Sequence, residues 1–298
     1  MAMAWLDGRL VEAEAPNLAL GDRGFQLGDG VFETLRVRRS VAIDLGIHLA
    51  RLREGLAALS IPMPFTDGEL GAAIASVVAA NAPGDASVRV TVTRGPIAGR
   101  GTLPAGWHEA QPTVAIQAWP YVPAAADLVE RGARAITATG RRDPAAPLAS
   151  VKTTSRADHV HAKLEAERAG ADDAITLTLA GEVAEATSAN VAIVVDESGA
   201  GGWRLLTPPL SAGILDGTTR DWLLGVDGAA AMGLPAAEST LLLEDVLTAA
   251  EAMLCSSVAG ILPLVSLDGR PIGDGRPGPW TRRLRAAREA WIVALSGG

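Results

Sequence analysis

Only two lysines, Lys152 and Lys163, stand among the 26 basic residues of this 298-residue chain, which leaves 26 − 2 = 24 arginines. A chain that uses arginine wherever positive charge suffices keeps lysine where the amine itself is needed, because a guanidinium does not lose its proton and form an imine. Lys163 falls mid-helix four residues before Glu167 and reads as a solvated ion pair. Lys152 ends the apolar segment Leu148–Ala149–Ser150–Val151 and precedes Thr153–Thr154–Ser155. Desolvation there favours a neutral, nucleophilic amine suited to a Schiff base with a carbonyl cofactor. The census alone leaves an ordinary structural ion pair open.

An aldehyde cofactor held by a lysine needs anchors for a phosphate, an acid for a ring nitrogen and a site for a substrate carboxylate. The loop Ser211–Asp216 enters a helix at Gly217, so free N–H groups and the hydroxyls of Thr218 and Thr219 form an anion site. Ser256 and Ser257, in another turn, add hydroxyl donors. Glu185 lies in a strand of small apolar residues, where a carboxylate needs a partner. Other classes have less support. Ser150 near Lys152 suggests a Ser–Lys hydrolase and the apolar content a non-catalytic ligand binder, but the chain has no Gly-x-Ser-x-Gly elbow, P-loop or dinucleotide fingerprint.

Several elements must position these groups. Alternation over 31–38 predicts a strand with Thr34, Arg36 and Arg38 on one face and Leu35 and Val37 on the core face. Leu49, Leu52, Leu56 and Leu59 mark a helix, 67–80 a second helix, and 88–93 and 114–118 strands. Trp119–Pro120–Tyr121–Val122–Pro123 and the alanines after it give a linker over 119–127, separating domains 1–118 and 128–298. Beyond it we read strands at 133–138, 175–179, 182–186, 191–195 and 204–207, with a strand end at 150–152. Helices are read at 155–169, 217–225 and 279–295, a strand plus helix over 241–254 and a hairpin over 257–267. Neither regular βαβ alternation nor strands alone fits, so the class is α+β.

Composition narrows the partners. Net charge −8, 48% hydrophobic and 20% charged residues describe a packed chain rather than a disordered one. A single cysteine excludes an internal disulfide framework and any cysteine-based metal site. Scattered arginines argue against a nucleic-acid footprint. The first residues carry acids where a secretory signal needs a basic head, and no apolar run approaches a membrane span, so a soluble cytoplasmic protein is expected. His159 and His161 are two apart on a helix and point in different directions, so they suggest packing or surface roles and no metal site.

Arg23–Gly24–Phe25–Gln26–Leu27–Gly28–Asp29–Gly30–Val31–Phe32–Glu33–Thr34 resembles the first block of the class IV aminotransferases, pyridoxal-phosphate (PLP) enzymes of fold type IV. The likeness covers nearly the whole chain. His48–Leu49–Ala50–Arg51–Leu52 resembles the block whose arginine holds the cofactor phosphate, and Lys152 falls where the Schiff-base lysine belongs. Glu185 with Asn190 is similar to the Glu-x-x-x-x-Asn pattern whose glutamate pairs with the pyridine nitrogen, and Gly217–Thr218–Thr219–Arg220 to the phosphate-cradling turn. The resemblance implies an α+β protein of two domains, a small α/β domain and a large pseudo-barrel domain, with the cofactor between them and a homodimer as the working form. It implies pyridoxal 5'-phosphate bound by Arg51, Lys152, Glu185, Thr218, Thr219, Ser256 and Ser257, with Lys152 as the catalytic base.

Within the family, Phe32–Glu33–Thr34–Leu35–Arg36–Val37 and Cys255–Ser256–Ser257–Val258–Ala259 depart from the branched-chain pattern of Phe-Glu-Gly-x-Arg and Gly-Thr-Ala. The Thr34-x-Arg36 dyad and Arg94–Gly95 with Gly99–Arg100–Gly101 look more like D-amino-acid transaminases and aminodeoxychorismate lyases. Thr34, Arg36 and Arg100 are expected to bind the substrate carboxylate, whereas Arg38 reads as a solvated surface charge. Arg156 and Ala157 stand where relatives place an aromatic that touches the ring hydroxyl, and Tyr121 is a pocket candidate. The expected reaction moves an amino group from a D-amino acid or small (R)-primary amine to a 2-oxo acid. Alternatives are a lyase releasing pyruvate from aminodeoxychorismate and a branched-chain L-amino-acid aminotransferase.

Overall fold

The computed structural model describes every residue except Pro16, Asn17, Pro83, Ala200 and Gly298. Two compact units emerge: 1–122 with 151–156 and 293–298, and 123–150 with 157–292. Among the described residues no helix is long and apolar enough to cross a membrane.

In the first unit, β1 (Met3–Leu6) and β2 (Arg9–Glu12) form a hairpin over Asp7–Gly8, both at positive φ. A short helix α1 (Arg23–Leu27) precedes β3 (Gly30–Arg38) and β4 (Val41–Ala42). Next come α2 (Leu45–Ala58), α3 (Asp67–Asn81), β5 (Ala86–Thr93) and β6 (Thr113–Pro120). α3 starts where Thr66 and Glu69 form a capping box. The strands pair in the order β2-β1-β6-β5-β3-β4, antiparallel throughout. Period-two alternation turns Leu35, Val37, Val88, Val90, Val92, Val114 and Ile116 toward the leucines of α2 and the apolar stripe of α3. The opposite face carries basic and polar side chains. Register pairs Thr34 with Arg89 and Arg36 with Ser87, so Phe32, Thr34, Arg36, Arg38 and Arg89 share it.

The second unit starts with α4 (Ala126–Arg131), β7 (Ala133–Arg142), α5 (Ala157–Arg168), β8 (Asp173–Thr178), β9 (Val183–Ala186) and β10 (Asn190–Asp196). There follow β11 (Trp203–Thr207), α6 (Thr218–Leu224), β12 (Ala236–Glu238), α7 (Leu243–Thr248), β13 (Glu251–Ser256), β14 (Gly260–Leu267) and β15 (Arg270–Pro271). α8 (Pro279–Leu295) ends the chain. The sheet runs β12-β11-β10-β13-β14-β7-β8-β9, and β9 pairs back to β10 through Glu185 and Asn190. That rung closes six strands into a ring, the pseudo-barrel, with mixed parallel and antiparallel pairing. Val191, Ile193, Leu254, Leu264 and Ile175 belong to one apolar cluster of this ring, while Val194, Met253, Trp222 and Leu284 join a second.

Several local expectations change. Segment 241–254 is helix before strand, and β13 rather than a strand after Ser257 is the hairpin partner of β14. Residues 150–152 form no strand, and α1, α4 and β12 appear where no periodicity marked them. Lys163 donates to the backbone carbonyl of Asp172, not to Glu167, because the α5–β8 turn brings that carbonyl to the helix end.

Candidate active site

Lys152 is placed by main-chain bonds within the first unit. Its carbonyl accepts from Phe32 N–H at 3.0 Å, and Thr153 bridges Val31. Thr154 N–H donates to Gly30 O at 2.9 Å and its hydroxyl to Gly28 O at 2.8 Å. The glycines of the first block make this docking possible. A Cβ on Gly28, which caps α1 at φ +68°, would fall 2.3 Å from Ser155 Oγ, and one on Gly30 would fall 2.6 Å from Val92 O. The lysine amine rests half-buried with Nζ 4.8 Å from the Phe32 ring centre.

The same ring carries a second cation. Arg89 Cζ lies 3.7 Å from its centre, and burial pushes that guanidinium below the usual arginine value. Sequence reasoning missed Arg89, although the alternation of 88–93 with valines inward was the signal that it faces outward with Thr34. Arg36 is buried and stacks on Tyr121 at 4.0 Å, so Tyr121 backs an arginine. Arg38 is half-buried, with its Nε enclosed and without a hydrogen-bond partner among the described residues. Arg100 stands exposed on a separate loop, forming no hydrogen bond or ion pair among the described residues. Buried Arg23 holds that loop by donating to Gly101 O at 3.1 Å and to Thr102 O.

Arg51 forks onto Glu33, Nε to Oε1 and Nη2 to Oε2, each at 2.7 Å, while His48 Nδ1 donates to Oε2 at 2.7 Å. Burial alone would raise the Glu33 pKa, but the hydrogen bonds from His48 and Arg51 and their charges prevail and hold it at about 2. Glu33, inside the first block, is therefore the residue that orients Arg51. Its sequence neighbours gave no hint of this, because His48 and Arg51 arrive from the next helix.

The second unit gathers the remaining candidates at the ring closure and around α6. Glu185 is buried; Arg142 Nη2 donates to its Oε1 at 2.6 Å and Leu215 N–H to its Oε2 at 3.0 Å. Asn190, its partner in the closing rung, donates to Leu215 O at 2.8 Å. Gly217 packs so tightly on Asn190 that a Cβ would lie 2.0 Å from Oδ1. Thr218 Oγ1 and Ser257 Oγ are 3.0 Å apart, and Ser256 Oγ accepts from Ala259 N–H across the β13–β14 turn. The Thr219 hydroxyl is buried with no hydrogen-bond partner among the described residues. An orphaned buried hydroxyl costs about 1–3 kcal/mol, so it fits an anion supplied from outside the chain. The adjacent Cys255 thiol, pushed up to about 12 by burial, is no nucleophile.

Residues 30–267 match the family model for amino-transferase class IV. The chain is 34% identical to a putative branched-chain-amino-acid aminotransferase of Methanocaldococcus jannaschii, over 94% of this chain and 93% of that one. It is 30% identical to the D-alanine aminotransferase of Bacillus licheniformis, over 97% and 96% respectively. A solved PLP-bound hypothetical aminotransferase from Mycobacterium tuberculosis superposes with a TM-score of 0.82 at 30% identity, covering 98% of this chain and 99% of that one.

Proposed function

The chain belongs to the class IV, pyridoxal-phosphate-dependent aminotransferases, and from that premise we propose that it takes the amino group of a D-amino acid and passes it to a 2-oxo acid. Small (R)-primary amines are a second donor class. The observation that carries the reading is the Phe32 ring, on which both the Lys152 amine and the Arg89 guanidinium lie, with Arg36 on the same strand face. An amine beside fixed guanidinium groups suits a substrate that carries its amino group next to a carboxylate. The Thr34-x-Arg36 dyad and the likeness to a D-alanine aminotransferase support the D configuration.

Bound PLP supplies a carbonyl that links to amines and a ring that draws electrons from the carbon bearing the amine. Lys152 would hold that carbonyl through its amine, and its neutral Nζ would take up and return the proton of the substrate α-carbon. Glu185 keeps a proton on the ring nitrogen. Arg51, fixed by Glu33, binds phosphate together with the hydroxyls of Thr218, Thr219, Ser256 and Ser257. Thr34, Arg36, Arg89 and Arg100 take the carboxylate. In the second half-reaction a 2-oxo acid enters and the same steps reverse, so one amino acid and one oxo acid leave for each pair that enters. A homodimer is the proposed working form, measurable by sedimentation.

The test is a half-reaction. Holoenzyme mixed with D-alanine, L-leucine or an (R)-arylamine, without acceptor, is followed by the cofactor absorption band. Conversion by D-alanine, absent in Lys152→Ala, is the expected result. Conversion by L-leucine alone would move the assignment to branched-chain substrates, and pyruvate release from aminodeoxychorismate with no donor active would make the enzyme a lyase.

A further inference from the structure

Arg142, at the end of β7, spends its four terminal N–H groups on four acceptors. Nη1 donates to Ala149 O at 2.6 Å and Gly213 O at 2.7 Å, while Nη2 donates to Glu185 Oε1 at 2.6 Å and meets His159 Nε2 at 3.1 Å. A guanidinium has no lone pair to offer, so His159 Nε2 is the unprotonated nitrogen and the imidazole is neutral with its proton on Nδ1. That Nδ1 is buried without a hydrogen-bond partner among the described residues. A residue kept only to fill space would not leave an N–H orphaned at a cost of about 1–3 kcal/mol; the ring is there for its Nε2 acceptor.

We propose that His159 is a positioning residue for Glu185, acting through Arg142, an inference that rests on the reading of Glu185 as the carboxylate facing the cofactor's ring nitrogen. By accepting one Nη2 hydrogen, His159 limits Arg142 to a single bond with Glu185. Without that acceptor the second Nη2 hydrogen, fixed in the guanidinium plane by the two carbonyls that hold Nη1, is left unpartnered beside Glu185, and more of the arginine's positive charge bears on the carboxylate and competes with the ring nitrogen for it. The position of His159 supports this: Nε2 is 3.9 Å from Glu185 Oε1, close enough that Arg142 must be shared. Its place on α5, two residues before His161, gave the sequence reading no reason to separate the two. In the fold His161 is exposed and pairs with Glu165, whereas His159 turns inward.

The experiment uses PLP-loaded protein carrying His159→Leu, which removes the acceptor, or His159→Gln, which keeps one. Read out are the pH midpoint of the bound cofactor's absorption change, the rate of PLP loss and the melting temperature, with Glu185→Gln as reference. The expected result is a midpoint displaced by about half a unit or more in His159→Leu, toward that of Glu185→Gln, and restored in His159→Gln. An unshifted His159→Leu midpoint alongside a shifted Glu185→Gln midpoint overturns the proposal and leaves Glu185 in its role. An unshifted Glu185→Gln midpoint overturns both. If His159→Leu does not fold, His159→Met, flexible and equally without a nitrogen acceptor, is read by the same criteria.

Discussion

Glu33 in the first unit and Glu185 in the second are both buried glutamates held by an arginine, and the two arginines hold them differently. Arg51 presents Nε and Nη2 together to Glu33, and His48 adds a third donor. Arg142 is pinned by its other nitrogen to two backbone carbonyls and gives Glu185 one Nη2 bond, beside the N–H of Leu215. A fork joined by a third donor fixes a carboxylate as an unchanging anion; a single bond from an anchored arginine orients a carboxylate toward something else. The first arrangement serves the shape of the unit and the aim of Arg51. The second fits the role proposed for Glu185, facing the cofactor's ring nitrogen.

Substitutions at the two glutamates should therefore differ in kind. Glu33→Gln takes the carboxylate charge away from half-buried Arg51 and buried His48 and should destabilise the fold by about 3–5 kcal/mol, read as a lowered denaturation midpoint. The acid dependence follows from the same group. Its folded pKa of about 2 lies below the ordinary glutamate value of 4.5, so its stabilisation is complete above pH 4.5 and is lost as pH falls toward 2. Wild type should lose about 3 kcal/mol across that window through this residue, and Glu33→Gln should not. Glu185→Gln should slow the half-reaction about 100-fold, equivalent to ~2.7 kcal/mol on the barrier, with a smaller loss of stability than Glu33→Gln. A larger fall in stability than in rate would erase the distinction. The smallest effect is expected at Gly28→Ala. Its φ of +68° and the approach of Ser155 Oγ should cost about 1–2 kcal/mol and loosen the Lys152 segment, read by hydrogen exchange at Thr154 N–H.

Local signals survived from sequence to fold where local chemistry decides. The Thr66–Glu69 cap, the alternation of β3 and the span of α8 all lie within one element and are legible from spacing. The candidate site was proposed from residue types: Lys152 through the scarcity of lysine, Glu185 through its apolar neighbours. What spacing does not carry is partnership. Nothing near Glu33 announces His48 and Arg51, nothing near Arg142 announces His159, and the outward face of β5 gains meaning only when register sets Arg89 opposite Thr34. Lys152 looked like a strand end because the apolar run before it suggested pairing, whereas the glycines of the first block hold it by single main-chain bonds.

The ring of the second unit sets an order of events during synthesis. Its closing rung at Glu185–Asn190 is local, but β7 lies beside β14, where Ala133 pairs with Leu264 across 264 − 133 = 131 positions. The strand that follows the first unit must wait, unpaired on that edge, until nearly the whole chain has left the ribosome. Ser256 and Ser257, proposed to bind the cofactor phosphate, lie at the junction of β13 and β14, so a chain stalled before that point lacks both the closed ring and these hydroxyls.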